Sequence, residues 1–121
     1  MTRKIIFILL TLTSILIGCQ SEIKFESKKW KEGGDLDFYP YRQSMLKDIV
    51  ENKRFVGLSY ATVLDSLGQP ENYDMKKENE LWYSVTVEYG GIDPVYTNHL
   101  ILTLGNDSTI EKVEAREWKK Y

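Results

Sequence analysis

Cysteine and histidine are nearly missing from this sequence, which contains one of each, Cys19 and His99. A single cysteine cannot form a disulfide within the chain, although small exported domains commonly depend on disulfides, so the fold must hold without one. One histidine and no second thiol exclude a catalytic triad and a histidine-rich metal site by count. We therefore expect no enzymatic activity, no metal and no cofactor other than a covalent lipid, for which the argument follows.

Loop carboxylates are the remaining groups that could do chemistry, Asp35 with Asp37 and Asp93 with Asp107. Such pairs can bind calcium or act as acid and base, but neither spacing resembles a known loop of this kind. Solvated loop acids are the plainer interpretation. A hydrolase that uses these carboxylates stays an alternative hypothesis.

A surplus of positive charge is also missing. Two of the 16 basic residues, Arg3 and Lys4, lie at the amino terminus, and the others are outnumbered by 18 acidic residues. A nucleic-acid-binding protein normally carries a basic face that neutralises phosphates. The short basic group within residues 28–31 is interleaved with acids, so it predicts a solvated surface. Nucleic acid is therefore not an expected partner.

One apolar run, residues 5–17, follows directly after the two positive residues at the amino terminus. It is shorter than the roughly 20 apolar residues of an ordinary transmembrane helix, and this pattern is typical of a secretory signal. Leu16, Ile17, Gly18 and Cys19 then resemble the lipobox, in which aliphatic and small residues precede an obligatory cysteine. The resemblance implies cleavage after Gly18 and lipidation of Cys19, which anchors the chain to a membrane. The alternatives are a secreted protein with a leftover thiol and an uncleaved anchor helix.

These features predict three regions. Residues 1–18 are the signal peptide, residues 19–37 a lipidated tether, and residues 38–121 one folded domain. The tether is polar and charged, and as a coil of about 18 residues it would span on the order of 25 Å. Phe25 and Trp30 are its exceptions, and either could dock onto the domain or onto the membrane surface.

Two helices are predicted in the first half of the domain. Over residues 41–53, Met45 lies above Ile49 and Leu46 above Val50, which is typical of an amphipathic helix with one buried stripe. The second helix has chemical signals at both ends. These signals are an N-cap at Ser59, a hydrophobic staple between Leu58 and Val63, a left-handed C′ position at Gly68, and a stop at Pro70.

Three strands are predicted in the second half, over residues 81–89, 99–104 and 109–118, with a turn at 105–108 and a long loop at 90–98. Two helices followed by three strands predict an α+β fold, in which both helices pack on one face of an antiparallel meander as a two-layer sandwich. The other face, carrying Trp82, Thr86 and Trp118, is a candidate partner surface because it would lie open. Cross-strand pairs that merely shield an edge are the alternative.

The order of these features resembles the SmpA/OmlA family, the BamE-like small lipoproteins of the outer membrane. Beside the lipobox, the resemblance rests on the second helix and its ends, and on the sequences around Trp82 and residues 100–107. The helix motif comprises Gly57, Leu58, Ser59, Val63, Leu67, Gly68 and Pro70. Leu58 departs from the methionine that is usual in the family, and no partner-binding residue can be matched one by one.

The resemblance implies a non-catalytic accessory or scaffold subunit in outer-membrane protein assembly or envelope maintenance, with a membrane and an envelope protein as partners. Gln20 after the cysteine, in place of an aspartate, favours the outer membrane over the inner one. A second hypothesis is a binding or inhibitor module for a periplasmic or extracellular protein, because inhibitors of secreted enzymes, such as β-lactamase inhibitors, have similar folds.

Overall fold

The structure is a computed structural model that describes residues 22–71 and 79–121. The signal predicted over residues 1–18, with its cleavage site at Gly18, and the predicted lipidation site Cys19 lie outside the described residues. Within the part that is described, no helix is both long and apolar enough to cross a membrane.

In these ranges three helices precede three strands. The helices are α1 (Ser27–Trp30), α2 (Arg42–Glu51) and α3 (Tyr60–Leu67), and a 3₁₀ turn occupies Asp35–Asp37. The strands are β1 (Glu80–Gly90), β2 (Asp93–Leu104) and β3 (Ile110–Lys119), joined in the order β1-β2-β3. Both pairings are antiparallel. The predicted α+β class and the antiparallel meander are confirmed, whereas α1 had not been predicted.

The core lies between the helices and one face of the sheet. Met45, Leu46 and Ile49 form the buried side of α2, as the helical period predicts. From α3, Val63 and Leu67 are buried, and Leu64 is only partly so. The sheet contributes alternating residues to the same cluster. They are Leu81, Tyr83, Val85, Leu100, Leu102 and Ile110.

Local chemistry fixes both ends of α3. Ser59 is the N-cap, and its Oγ accepts a hydrogen bond from the backbone N–H of Thr62 at 3.3 Å, which confirms that prediction. Gly68 ends the helix with φ 82° and ψ −166°, so its φ is positive but the residue is not in the left-handed helical region that had been predicted. Gly57 and Leu58 each bond to the backbone of Ile110 at 2.8 Å, which ties the start of α3 to β3.

The segment before α2 differs from the predicted tether. The Ile23 N–H donates to the Ser44 carbonyl at 3.0 Å, and the Phe25 N–H donates to Asp48 Oδ2 at 2.7 Å. Trp30 is 0% exposed and belongs to the core. Of the two docking sites considered for Phe25 and Trp30, the domain is the one observed. From residue 22 to residue 30 the chain is thus packed against the domain, because two aromatic rings bury area there.

The hairpin between β1 and β2 is also longer than predicted. Residues 93–98, predicted as part of a loop, belong to β2, and Gly90 pairs with Asp93. Gly91, with φ 82°, occupies the turn. Pro94 is the second residue of β2, next to the turn, where a proline is tolerated. The prediction of a long loop at 90–98 is therefore wrong.

Candidate interaction surface

The sheet face that points away from the helices is called the outer face here. Strand register assembles it in rows that run across the three strands. The rows are Trp82, Ile101 and Glu114; Ser84, His99 and Arg116; and Thr97 with Trp118. Ile101 is 0% exposed although it lies outside the core cluster, so the side chains around it shield it from solvent. Trp118 at the other end is 49% exposed.

A β-bulge changes which residues reach this face. The register shifts between Ser84 and Thr86, so Val85 has no partner on β2. Thr86 therefore points to the helix side, where its Oγ1 donates to Gln43 Oε1 at 2.7 Å. Of the three residues predicted to form a surface, the structure places Trp82 and Trp118 on the outer face, and Thr86 on the opposite one.

Arg42, at the start of α2, holds the bulge in place. Its Nη1 donates to the Ser84 carbonyl at 2.6 Å and its Nε to the Trp30 carbonyl at 2.9 Å. The guanidinium carbon lies 3.4 Å from the centroid of the Tyr39 ring, and 4.6 Å from that of Trp30. Burial lowers the pKa of Arg42, while Tyr39 and Glu71 act in the opposite direction. One buried cation thus joins the amino-terminal segment, α2 and β1, and so positions the outer face.

A charged cluster surrounds Trp82 on the outer face. Arg116 Nη2 lies 2.5 Å from Glu114 Oε1 and 3.5 Å from Glu80 Oε2. The Arg116 guanidinium carbon is 5.2 Å from the centroid of the Trp82 ring. An arginine that is held over a tryptophan by two carboxylates presents a flat, amphipathic surface, of the composition that protein interfaces favour.

His99 lies on the other side of the same tryptophan. The ring centroids of His99 and Trp82 are 5.4 Å apart, and His99 Nε2 is 3.9 Å from Glu71 Oε2, beyond hydrogen-bond distance. Burial lowers the pKa of His99, Glu71 raises it, and Arg116 lowers it. The lowered pKa favours the neutral imidazole, and Glu71 at 3.9 Å does not hydrogen-bond to it.

Glu71 also borders the outer face along β1. Its backbone N–H donates to the Trp82 carbonyl at 2.8 Å, and its Oε1 accepts from the Ser84 N–H at the same distance. The residue after Pro70 thus hydrogen-bonds to β1. Nothing in the sequence signalled this contact, because it joins residues far apart along the chain.

Asp93 and Asp107, which the sequence suggested as a pair, are not brought together. Asp93 begins β2 and Asp107 follows its end, so a strand of 12 residues separates them. Asp107 Oδ1 accepts from Thr109 N and Oγ1, which lowers the pKa of Asp107 and closes the turn. Asp37 Oδ2 accepts from the Tyr89 hydroxyl at 2.8 Å. Among the described residues, no group of three or more His, Cys, Asp or Glu could hold a metal ion.

Three large apolar side chains are strongly exposed in two segments, the 3₁₀ turn with its following residue and the turn between β1 and β2. The hydrogen bond of Asp37 to Tyr89 links the two segments. Leu36 is 92% exposed, Phe38 68% and Ile92 94%. We call Leu36, Phe38 and Ile92 the apolar tip. These exposed side chains were not predicted, because Leu36 lies in a segment with the composition of a polar tether and Ile92 in one with the composition of a loop.

Comparisons with protein-family models, with curated proteins and with solved structures found no match to this chain.

Proposed function

We propose that this protein is a non-catalytic, lipid-anchored subunit of the bacterial envelope, which binds a partner protein through the outer face of its sheet. The observation that carries the proposal is the combination of a half-exposed Trp118 with the Arg116–Trp82 pair on a face that the helices leave uncovered. Tryptophan and arginine are the residues most enriched among those that dominate binding energy at protein interfaces.

The anchor in this proposal is a lipid on Cys19, added as the signal is cleaved after Gly18. The leaflet is that of the outer membrane, which Gln20 favours. Labelling of growing cells with a palmitate analogue is expected to mark the wild type and not Cys19→Ser, and the variant is expected to leave the membrane fraction. An unlabelled wild type that fractionates like Cys19→Ser would refute the anchor.

The role in this proposal is that of an accessory or scaffold subunit related to the SmpA/OmlA family, in outer-membrane protein assembly or envelope maintenance. Its architecture would be the two-layer arrangement that the family resemblance implies. Helices that precede a three-stranded meander, and a helix capped by Ser59 and ended at Gly68, support the proposal.

The partner surface can be tested by affinity capture after gentle detergent extraction of native membranes. The outer-face variant combines Arg116→Ser with Trp118→Ser, and Tyr121→Ser is the matched control, because Tyr121 is exposed at the carboxyl terminus. We expect the wild type and the control to recover the same envelope protein. The outer-face variant should recover at least tenfold less of it. Recovery of the wild type alone at every salt concentration would contradict the proposal.

A second candidate function is a binding or inhibitor module for a periplasmic or extracellular protein, and the apolar tip favours it. Loops that project apolar side chains can insert into a cleft on a partner. In this case Ile92→Ser would abolish capture while the outer-face variant retained it. Capture would also survive Cys19→Ser, because a soluble target does not require the anchor.

A further inference from the structure

The first described residues of the chain, 22–25, contact one side of α2. Glu22 Oε2 lies 3.2 Å from Lys47 Nζ, and the next residue, Ile23, is hydrogen-bonded to the backbone of α2 through Ser44. Two residues further on, Phe25 is hydrogen-bonded to Asp48. Contact with the domain therefore begins at the first residues that the structure describes.

Helical geometry shows which side this is. Arg42, Met45, Leu46 and Ile49 are the buried residues of α2. Because successive residues turn by about 100° in an α-helix, Lys47 and Glu51 point away from that buried side. Glu22 pairs with Lys47, so the chain arrives on the side of α2 that faces away from the sheet.

Little chain remains between this point and the predicted anchor. Cys19 and Glu22 are three positions apart in the sequence. A fully extended chain spans at most about 3.6 Å per residue, so the two residues lie within about 11 Å of each other. A tether running to residue 37 would have allowed more than twice this distance.

We propose that the outer side of α2, together with the segment that leads into it, is a membrane-facing surface. This inference rests on the proposed lipid at Cys19. Its residues are Glu22, Lys24, Lys47 and Glu51. They are charged, so apolar insertion is excluded and the surface lies at the depth of the lipid headgroups. Lys24 meets phosphate groups there, while Lys47 is paired with Glu22. The outer face of the sheet, on the opposite side of the domain, is thereby directed away from the bilayer toward an aqueous partner.

The orientation can be measured on the full-length, lipidated protein with a fluorophore on a single introduced cysteine. Lys47→Cys reports on the outer side of α2, and Lys112→Cys is the matched control on the outer face of the sheet. The two side chains are similarly exposed, at 53% and 62%. Each variant is bound to phosphatidylcholine vesicles in which part of the lipid carries a nitroxide on its headgroup.

We expect quenching at position 47 to exceed quenching at position 112 several-fold. Insertion of 20 Gly/Ser residues between Ser21 and Glu22 is expected to abolish this difference, because it frees the domain to rotate. Equal quenching at both positions in a protein that floats with the vesicles would overturn the orientation and leave the anchor standing. A wild type that fails to float with vesicles would overturn the anchor and the orientation together.

Discussion

Arg42 is the residue whose surroundings explain most about the site. It is 6% exposed, and its hydrogen bonds run to two backbone carbonyls, those of Trp30 and Ser84. A buried guanidinium is stable only where its donors are satisfied, and here carbonyl oxygens and two aromatic faces do this. These contacts require an arginine, because only a guanidinium group carries two separate N–H donors that can reach both carbonyls.

Replacing Arg42 with an uncharged residue should lower the free energy of unfolding. In Arg42→Met the carbonyls of Trp30 and Ser84 lose their buried donors, at about 1–3 kcal/mol each, so the free energy of unfolding should fall by about 2–6 kcal/mol. Urea denaturation measures the change. Lys47→Met is the control, because the exposed ion pair with Glu22 that it removes contributes little to stability. An equal loss of unfolding free energy in the two variants would show that the buried contacts of Arg42 do not stabilise the fold more than an exposed ion pair does.

His99 reports on the charges of the outer face. Burial lowers its pKa, Glu71 raises it and Arg116 lowers it. In an NMR titration the wild type should give a pKa below the usual value of about 6.5. Glu71→Gln should lower this pKa further, while Arg116→Gln should raise it. Because His99 is the only histidine, its signal is unambiguous. If both variants moved the pKa of His99 in the same direction, the arrangement of charges around Trp82 would be contradicted.

At the scale of an element, Asp48 fastens the amino-terminal segment to α2. Its carboxylate accepts from the Phe25 N–H and from Arg54, which together hold the pKa of Asp48 below its usual value. The unfolded chain therefore binds more protons in acid. This contribution to stability is present above about pH 4, near the unfolded pKa, and is lost as the pH falls through the lower folded pKa.

Asp48→Asn should lower the free energy of unfolding at pH 7 by about 1–2 kcal/mol, because it replaces charge-assisted hydrogen bonds with neutral ones. The difference from the wild type should shrink below about pH 4. Chemical denaturation over a pH series measures both effects. Glu51→Gln, on the exposed side of the same helix, should change stability little. A difference between wild type and Asp48→Asn that does not depend on pH would argue against the ionised contact.

Elements set by neighbouring residues could be predicted from the sequence, and those set by distant contacts could not. The ends of α3 followed from Ser59 and Gly68, whose chemistry acts within one turn. The side on which Thr86 lies depends on a bulge held by Arg42, 42 positions before Ser84. Alternation along β1 did place Trp82 on the outer face, because it precedes the bulge.

At the scale of the whole molecule, the domain extends further toward the amino terminus than its composition indicated. Ile23 and Phe25 alternate with exposed charged residues, and that pattern is too short to separate from a polar coil. Trp30 then completes the core, although it stands among lysines. Its burial could not be predicted, because the atoms that cover it belong to α2 and β1.

Truncated chains test how far the folded domain extends toward the amino terminus. A chain that begins at residue 38 lacks Trp30, and the loss of a buried tryptophan costs about 3–5 kcal/mol, a large part of the roughly 5–15 kcal/mol that stabilises a small domain. It should lack a cooperative thermal transition, whereas a chain that begins at residue 22 should keep one. Calorimetry distinguishes them. Equal transitions would show that residues 22–37 are dispensable for folding.

The hydrogen bond of Phe25 to Asp48 and the burial of Trp30 have a mechanical consequence. If Cys19 carries the proposed lipid and the outer face binds the proposed partner, tension between the bilayer and that partner would pass through residues 22–30 directly into the core. Pulling the chain away from the domain would break the contacts of Glu22 and Ile23 first, then the hydrogen bond of Phe25 to Asp48, and would then expose Trp30. Detachment and unfolding would therefore be coupled events.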